Sequence, residues 1–332
     1  PGLVAAPGDP DDVPDAVADF ARDAVRDYHE IDHAVELAET AGYRTAAWGN
    51  GRGRIGALAA VGAWAAFGGW TYEHIAYRHP ERRGTDRDVD IDSVFAAAER
   101  AYPDAWDTVD RGTGEPVCVP HTPGPLLYGV RGDDPATVRA VAADIDAEPV
   151  ERTRLFHANQ GTDAHLRDAA LGAVRDGYAY RVTGTVADAP VSRAGGHVFF
   201  TLREDGASLD CAAFEPTKRF RDRVRALRPG DRITACGEVS RGTLKLEKFA
   251  VRELERTEQV VPTCDCGKSM ESAGAGQGYR CRDCDSTAPG KVERAVERDL
   301  EGGWYEVPPR ARRHVAKPLV RGGFDAPVHP ER

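Results

Sequence analysis

The stretch from residue 178 to 255 constrains the fold most, because it reads as strands with a single helical interruption. Alternating apolar and polar residues predict a strand at 178–186, and runs bounded by turn residues predict further strands at 197–203, 208–214, 232–240 and 244–254. A short helix is expected at 220–227, between the third and fourth strands. This order of elements is typical of an OB-fold barrel, which we predict over residues 176–256.

OB barrels bind single-stranded nucleic acid by stacking bases on aromatic side chains beside basic groups that contact phosphate. Some aromatic residues of this region must form the barrel core, so only about two of its aromatic side chains are expected to be free for stacking. The default alternative is core packing for the rings and a solvated face for the charges. The nucleic-acid-binding candidates are Tyr180, Arg203, Phe214, Lys218 and Arg219, with Arg312 and Arg313 in a basic tail at 291–332.

Four of the seven cysteines lie close together, at Cys264, Cys266, Cys281 and Cys284. Two short-spaced cysteine pairs separated by a loop are the pattern of a zinc ribbon, which we predict over residues 257–290. The zinc would be structural, because four thiolates leave no open coordination position. The first pair is one residue shorter than usual, so the alternative is three or fewer ligands and no metal. This use of cysteine also favours a reducing cytoplasm over a disulfide framework.

A predicted strand at 43–48 is followed by a glycine-rich loop and an alanine-rich helix. This arrangement offers backbone N–H groups and the positive end of a helix dipole to an anion such as phosphate. Arginines interleaved with the glycines favour that interpretation over simple packing. The loop is not a Walker A motif, because the Lys-Ser/Thr ending is absent. The candidate phosphate-binding residues are Gly49, Asn50, Gly51, Arg52, Gly53, Arg54 and Gly56.

Between residues 69 and 175 the pattern changes to mixed helices and strands, as expected of a ferredoxin-like α+β domain. Helices are predicted at 93–102 and 133–145, and strands at 117–120, 126–131 and 153–157. The polar run from Asn159 to His165 follows the last strand. It is either part of a functional site or an Asx turn that caps the next element. The predicted fold class is therefore a multidomain α+β protein.

Acidic residues outnumber basic ones, and the net charge of −10 argues against indiscriminate nucleic-acid binding while allowing a local basic site. No apolar run approaches the roughly 20 residues of a membrane span, so we expect a soluble, cytoplasmic protein without a membrane partner. The sequence opens with Pro1 instead of Met, and we expect it to begin inside a longer protein.

The ordered motifs of this chain resemble one known family. They are Gly49–Gly56, Val119-Pro-His-Thr-Pro-Gly124, Asn159-Gln-Gly-Thr-Asp163 with His165, the OB region, and Gly276-Gln-Gly-Tyr-Arg-Cys281. In this order they resemble the archaeal isoleucine-tRNA 2-agmatinylcytidine synthetase (TiaS) family, over residues 1–321. The resemblance implies an ATP-dependent ligase that phosphorylates the C2 carbonyl of the wobble cytidine in an isoleucine tRNA with a CAU anticodon. Agmatine then displaces the phosphate to give agmatidine.

The resemblance also implies roles for residues and cofactors. Residues 1–68 would be the remainder of an ATP-dependent kinase domain, in which Arg52, Arg54 and Asp163 act in catalysis. The family carries its Mg²⁺ ligands in an aspartate-rich segment near its start, and no such segment occurs near the start of this sequence, so those ligands are expected outside it. The alternative function is an RNA- or single-strand-binding protein without catalysis. The candidate agmatine-binding residues are His121, Thr122, Asn159, Gln160, Thr162, Asp163 and His165.

Overall fold

The computed structural model describes all 332 residues, beginning with a small α/β region. Its elements are β1 (Gly2–Ala5), α1 (Asp15–Ala24), α2 (Ile31–Thr40), β2 (Arg44–Ala47) and α3 (Gly53–Ala66). Strand β1 pairs antiparallel with β2. Helix α1 packs closely on α3 at Gly62, where any Cβ would lie 2.2 Å from the carbonyl oxygen of Val17. Only glycine permits this approach of the two helices.

The second region has the ferredoxin-like topology expected from the sequence. Its elements are β3 (Thr71–Arg78), α4 (Ile91–Ala101), β4 (Ala105–Trp106), β5 (Leu126–Gly132), α5 (Pro135–Asp144) and β6 (Val150–Ala158). The strands form an antiparallel sheet in the order β4-β5-β3-β6, so β6 lies at an edge. Helices α4 and α5 pack on one face of this sheet through Val94, Val138 and Val141. Asp134 caps α5 by accepting a hydrogen bond from the Thr137 N–H, 2.6 Å away.

The OB-fold prediction is confirmed by a closed five-stranded barrel. Its elements are β8 (Ala179–Val186), β10 (Val198–Glu204), β11 (Ala207–Ala213), α6 (Phe220–Arg225), β12 (Arg232–Ser240) and β13 (Thr243–Glu253). The barrel order is β11-β10-β8-β12-β13, and parallel pairing of β11 with β13 closes it. Helix α6 lies between the third and fourth barrel strands, and Phe220 is fully buried against the core. Two short strands, β7 (Leu166–Asp168) and β9 (Val191–Ser192), extend the sheet.

The remaining strands belong to the cysteine-rich segment and to the C-terminal region. They are β14 (Thr257–Val260), β15 (Glu271–Ser272), β16 (Tyr279–Arg280), β17 (Thr287–Ala288), β18 (Val292–Ala295), β19 (Gly303–Glu306) and β20 (Val328–His329). Strands β15, β16 and β17 form a small antiparallel sheet around the cysteines. Short 3₁₀ turns occur at Pro10–Asp12, Pro80–Arg82, Leu171–Ala173, Glu215–Thr217, Pro309–Ala311 and Leu319–Arg321.

Three expectations about secondary structure need correction. Residues 117–120 form a turn instead of a strand, because the flanking Pro116 and Pro120 have no N–H to donate to a sheet. Strand β3 was not apparent in the sequence, because its helix-facing side carries His74 and the fully buried Arg78. The predicted basic tail is folded, since β19 pairs with β13 and buries Trp304 and Tyr305.

Candidate functional site

A groove of about 560 Å³ lies between helix α3 and the edge strand β6, and we name it the α3–β6 groove. Two of its lining residues come from motifs singled out in the sequence: Gly56 belongs to the glycine-rich loop, and Asn159 begins the polar run after β6. Nothing in the local sequence pattern indicates that these motifs meet. The lining residues of the groove are Val25, Gly56, Ala59, Ala60, Ala63, Trp64, Phe67, Trp70, Leu155, Phe156, His157, Ala158 and Asn159.

Aromatic rings dominate the wall of this groove. The rings of Trp64 and Trp70 lie 5.0 Å apart, and the His157 ring lies 5.4 Å from that of Trp64. Trp64 and Phe156 are 46% and 42% exposed. Exposed ring faces beside a cavity can stack on a nucleobase or on a guanidinium group. Sequence reasoning did not select these residues, because they come from three separate segments.

Of the two arginines in the glycine-rich loop, Arg52 is the one whose side chain has no hydrogen-bond partner within the protein. It is exposed, whereas the Arg54 Nε donates to the carbonyl oxygen of Gly51 at 3.2 Å. The Asn50 side chain is also occupied, since its Oδ1 accepts a hydrogen bond from the Arg52 N–H at 3.2 Å. Arg52 and Gly56 are four residues apart at the start of α3, so they share a face and lie about 6 Å apart along the axis. Arg52 therefore lies one helical turn from the groove residue Gly56, although it does not itself line the groove.

The first turn of α3 is partly covered by the chain's own backbone. A Cβ at Gly2 would lie 2.2 Å from the Arg54 nitrogen, and one at Gly53 would lie 2.4 Å from the Gly2 nitrogen. Phosphate binding deep among the N–H groups of this turn is therefore sterically hindered. The side chain of Arg52 and the exposed Gly49–Asn50 segment remain open to an anion.

The polar run after β6 divides between the groove and a domain contact. Asn159 faces the groove, and its carbonyl oxygen accepts from the Thr162 hydroxyl at 2.5 Å. The Gln160 carbonyl oxygen accepts from the Thr71 hydroxyl, also at 2.5 Å. The His165 Nδ1 lies 2.8 Å from the carbonyl oxygen of Val25, a groove residue, and burial lowers the pKa of His165. The imidazole is thus held neutral behind the groove wall.

Asp163 points away from the groove. Its carboxylate accepts from the Lys248 ammonium at 2.7 and 2.8 Å and from the Lys317 backbone N–H at 2.6 Å. The Lys248 side chain is fully buried, and its ammonium also lies 4.7 Å from the centre of the Phe324 ring. Asp163 therefore joins the ferredoxin-like sheet to the OB barrel and the C-terminal region. The expectation that this carboxylate acts in catalysis or binds agmatine is not supported, because buried donors already use it.

His121 and Thr122 do not belong to the same site as Asn159. Their loop precedes β5 at the Arg78 end of strand β3, where the Arg78 N–H donates to the Pro125 carbonyl oxygen at 2.8 Å. Asn159 follows the opposite end, where Ala158 pairs with Thr71. Seven residue steps along β3 separate the two ends by about 23 Å. The expectation that both motifs line one agmatine pocket is therefore wrong for His121 and Thr122.

Most of the predicted nucleic-acid-binding residues are engaged within the protein. Tyr180 is buried in the barrel core, so it cannot stack on a base. The Lys218 ammonium pairs with Glu215 at 2.6 Å, and Arg219 pairs with Asp110 at 3.0 Å and with Glu331. Arg313 pairs with Glu238 at 2.7 Å and with Glu247.

Arg203 and Phe214 remain on the OB surface. Arg203 is exposed, and Phe214 is half-buried beside His197, with the two ring centres 5.2 Å apart. Phe199 completes this aromatic patch and is covered by the Arg193 guanidinium at 4.3 Å. Both rings are partly exposed, but Arg193 covers one face of Phe199, so Phe214 is the more open of the two for stacking on a base.

Arg312 cannot contact phosphate, because its side chain is 4% exposed within a buried ion network. Its Nε donates to Asp107 at 2.7 Å, and its other nitrogens pair with Glu306. Burial raises the pKa of Asp107 to about 6, although the positive charge of Arg312 acts in the opposite direction. The expected role of Arg312 in nucleic-acid binding is therefore replaced by a structural one.

This network predicts a pH dependence of stability. Because the pKa of Asp107 is higher in the folded protein than its ordinary value, its contribution to stability should fall as pH rises from about 4 to about 6. The free energy of unfolding of the wild type minus that of Asp107→Asn should therefore decrease by about 2 to 3 kcal/mol over this range. Urea unfolding of both proteins at several pH values measures it. An increase would mean that the ion pair with Arg312 dominates.

The four cysteines form the one cluster of potential metal ligands in the protein. Their sulfur atoms all lie within 4.8 Å of one another, and those of Cys266 and Cys281 are 3.7 Å apart. A tetrahedron with Zn–S bonds of about 2.3 Å has edges of about 3.8 Å, so the arrangement fits zinc. The backbone N–H of Cys266 lowers the pKa of Cys264 to about 7, which favours a thiolate ligand. The short Cys264–Cys266 spacing therefore does not prevent convergence.

Other potential ligand side chains do not cluster in this way. No other group of three or more histidine, cysteine, aspartate or glutamate side chains brings its ligand atoms together. None of the helices is both long enough and apolar enough to cross a membrane.

Comparisons with known proteins agree with this architecture. Residues 51–165 match the model of the TiaS FLD domain, residues 173–252 an OB-fold nucleic acid binding domain, and residues 261–300 the TiaS C-terminal zinc ribbon domain. The isoleucine-tRNA 2-agmatinylcytidine synthetase TiaS of Haloquadratum walsbyi is 54% identical, over 97% of this chain and 79% of the relative. That of Methanosarcina mazei is 49% identical, over 91% and 72% of the two chains.

Solved structures give the same result. The complex of TiaS with its isoleucine tRNA and ATP is 41% identical, with a TM-score of 0.84 over 96% of this chain and 75% of that protein. The complex of TiaS with the tRNA, AMPCPP and agmatine is 39% identical, with a TM-score of 0.82 over the same shares. Since two family-specific domains and similarity along nearly the whole sequence coincide, the chain belongs to the TiaS family.

Proposed function

We propose that this protein is an ATP-dependent ligase that joins agmatine to C2 of the wobble cytidine in an isoleucine tRNA with a CAU anticodon. The reaction would pass through a cytidine phosphorylated on its C2 oxygen, from which agmatine displaces phosphate. The observation that carries this proposal is the α3–β6 groove, which is lined by exposed aromatic rings and Asn159 and whose residue Gly56 lies one helical turn from Arg52. The identity of the substrates is taken from the relatives that are named for this activity.

Each part of the groove suits one requirement of this chemistry. A cytidine must leave the stack of the anticodon loop before it can react, and the faces of Trp64 and Phe156 would stack on the extruded base. Agmatine carries two positive charges, and the electron-rich ring faces with the Asn159 oxygen would bind its guanidinium. The Thr162 hydroxyl donates to the Asn159 carbonyl oxygen and is proposed to position that residue, while Gln160 and His165 are proposed to fix the adjoining chain through Thr71 and the Val25 carbonyl oxygen.

Phosphoryl transfer depends chiefly on alignment and on neutralising negative charge. Arg52 is proposed to contact the phosphate at the groove mouth, with Gly49 and Asn50 beside it. ATP supplies the phosphoryl group when bound. We assign Mg²⁺ no residue of this chain. The aromatic patch of Phe199 and Phe214, with Arg203 nearby on the barrel, is proposed as a further tRNA contact.

Arg52→Ala is expected to reduce ATP-dependent turnover by about a hundredfold, as does the loss of one preorganised charge-stabilising donor in other enzymes. The tRNA dissociation constant should stay within about twofold. Arg44→Ala is the matched control, since Arg44 is exposed at the far end of strand β2. Turnover and filter binding on the same preparations measure both effects. Equal losses of turnover and affinity would instead make the loop an RNA-binding or structural element.

The ligase proposal is tested by incubating the protein with labelled agmatine, ATP and a CAU-anticodon tRNA transcript. Label should enter the RNA, and omission of ATP should abolish incorporation. The alternative, an OB-fold and zinc-ribbon RNA-binding protein without catalysis, predicts tRNA binding that ATP does not affect and no incorporation. A wild-type protein that binds the transcript yet leaves all label unincorporated would contradict the ligase proposal.

A further inference from the structure

The ferredoxin-like sheet has one face that no helix covers. On β6, the residues Arg152, Arg154 and Phe156 alternate with residues that point towards the helices, such as Leu155. They pair respectively with Tyr77, Ile75 and Glu73 of β3, whose side chains share the open face. We name the exposed row of Arg152, Arg154 and Phe156 the β6 row.

The β6 row is basic, aromatic and accessible. The Arg152 side chain is 50% exposed, and its guanidinium lies 4.7 Å from the centre of the Tyr77 ring. Arg154 is exposed and forms no ion pair. The nearby carboxylates are shared among several arginines, since Glu73 pairs with Arg131 at 2.9 Å, and Glu151 pairs with Arg83 at 3.3 Å and with Arg152 at 3.8 Å. Glu151 is thus divided between two arginines and Arg154 has no ion pair, so the row keeps a net positive charge.

The β6 row runs directly into the α3–β6 groove, because Phe156 belongs to both. Resting on the proposed function, we propose that the β6 row binds the single-stranded RNA that flanks the reacting cytidine in the anticodon loop. The nucleotides next to an extruded base are covalently continuous with it and must leave the groove along an open side. Alternate residues of a strand lie about 7 Å apart, so the two arginines can contact successive phosphates while Phe156 stacks on a base.

The test compares tRNA binding by Arg152→Ala/Arg154→Ala with binding by the wild type. The loss of two phosphate contacts should weaken binding about tenfold at about 0.15 M salt. The negative slope of the logarithm of the association constant against the logarithm of salt concentration should become smaller in magnitude by about 1.4. Arg100→Ala/Arg139→Ala is the matched control, because it removes the same charge from the helix-covered side and should change affinity less than about twofold. Arg152→Lys/Arg154→Lys should retain most of the affinity, since lysine still contacts phosphate.

A hairpin that contains only the CAU anticodon stem and loop locates the contact. The same loss of affinity should occur with this hairpin as with the whole tRNA. The inference is overturned if the alanine pair binds like the wild type, if the control pair loses as much affinity, or if the loss requires the rest of the tRNA. Wild-type protein that does not bind the tRNA at all would contradict the proposed function itself, so the two failures are distinguishable.

Discussion

Asp163→Asn is expected to lower the free energy of unfolding by about 3 kcal/mol, because it leaves a buried ammonium group without its counter-charge. Lys248 is fully buried, and the Asp163 carboxylate is its only acidic partner. The Lys317 N–H would also lose a charged acceptor. Asparagine keeps the shape of the side chain and tolerates the positive φ of 65° at this position, so the change tests charge. Urea unfolding of the wild type and the variant measures the loss.

Two further variants make this result interpretable. Asp168→Asn is the matched control, since the Arg181 guanidinium contacts Asp163 at 3.4 Å and Asp168 at 3.5 Å, but Asp168 is 80% exposed. This substitution should change stability by less than about 0.5 kcal/mol. Asp163→Asn/Lys248→Met should recover part of the lost stability, because neither charge remains buried. If Asp163→Asn is as stable as the wild type yet no longer incorporates agmatine, the carboxylate acts on the substrate and our structural assignment is wrong.

Cys281→Ser is expected to reduce bound zinc from about one ion per chain to none, because the remaining three thiolates cannot close the tetrahedral site. The ribbon has a core of only Cys264, Met270 and Cys281, so metal binding and folding of this segment are coupled. The segment should become sensitive to protease, and tRNA affinity should fall. Elemental analysis and limited proteolysis measure the first two effects.

Cys118→Ala is the control for this substitution. Cys118 is buried in the ferredoxin-like core, away from the cysteine cluster, so its loss should leave the zinc content unchanged. If the Cys281→Ser protein still binds one zinc ion per chain, the four cysteines do not form the zinc site.

The features that were predictable depend on local pattern. Alternation of apolar and polar residues in 178–186 and the turn residues that bound the later apolar runs indicate the barrel strands, and the cysteine spacing identifies the ribbon. Strand β3 escaped prediction because a polar pair, Arg78 with Glu148, is buried on the side that is usually apolar. The fold of the C-terminal region depends on pairing with β13, about 50 residues earlier in sequence, which local pattern cannot reveal.

The functional site was only partly predictable for the same reason. Arg52 is predictable because a charged group among glycines costs stability unless it has a partner, and Asn159 because it begins a dense polar run directly after an apolar strand. The partner of Asp163 could not be found, since Lys248 is 85 residues away and lies in an ordinary strand pattern. Trp64, Trp70 and His157 look like core residues in the sequence, and only the placement of α3 beside the edge strand exposes them in a groove.

The most direct test of the central claim is the mass of the wobble nucleoside after reaction. The CAU tRNA transcript is incubated with the protein, ATP and agmatine, then digested to nucleosides and to oligonucleotides for mass spectrometry. We predict one agmatine joined to cytidine with loss of water, confined to the wobble position, and no product when ATP is omitted. Unmodified wobble cytidine in RNA that the protein has bound, or agmatine attached at any other nucleotide, would contradict the account.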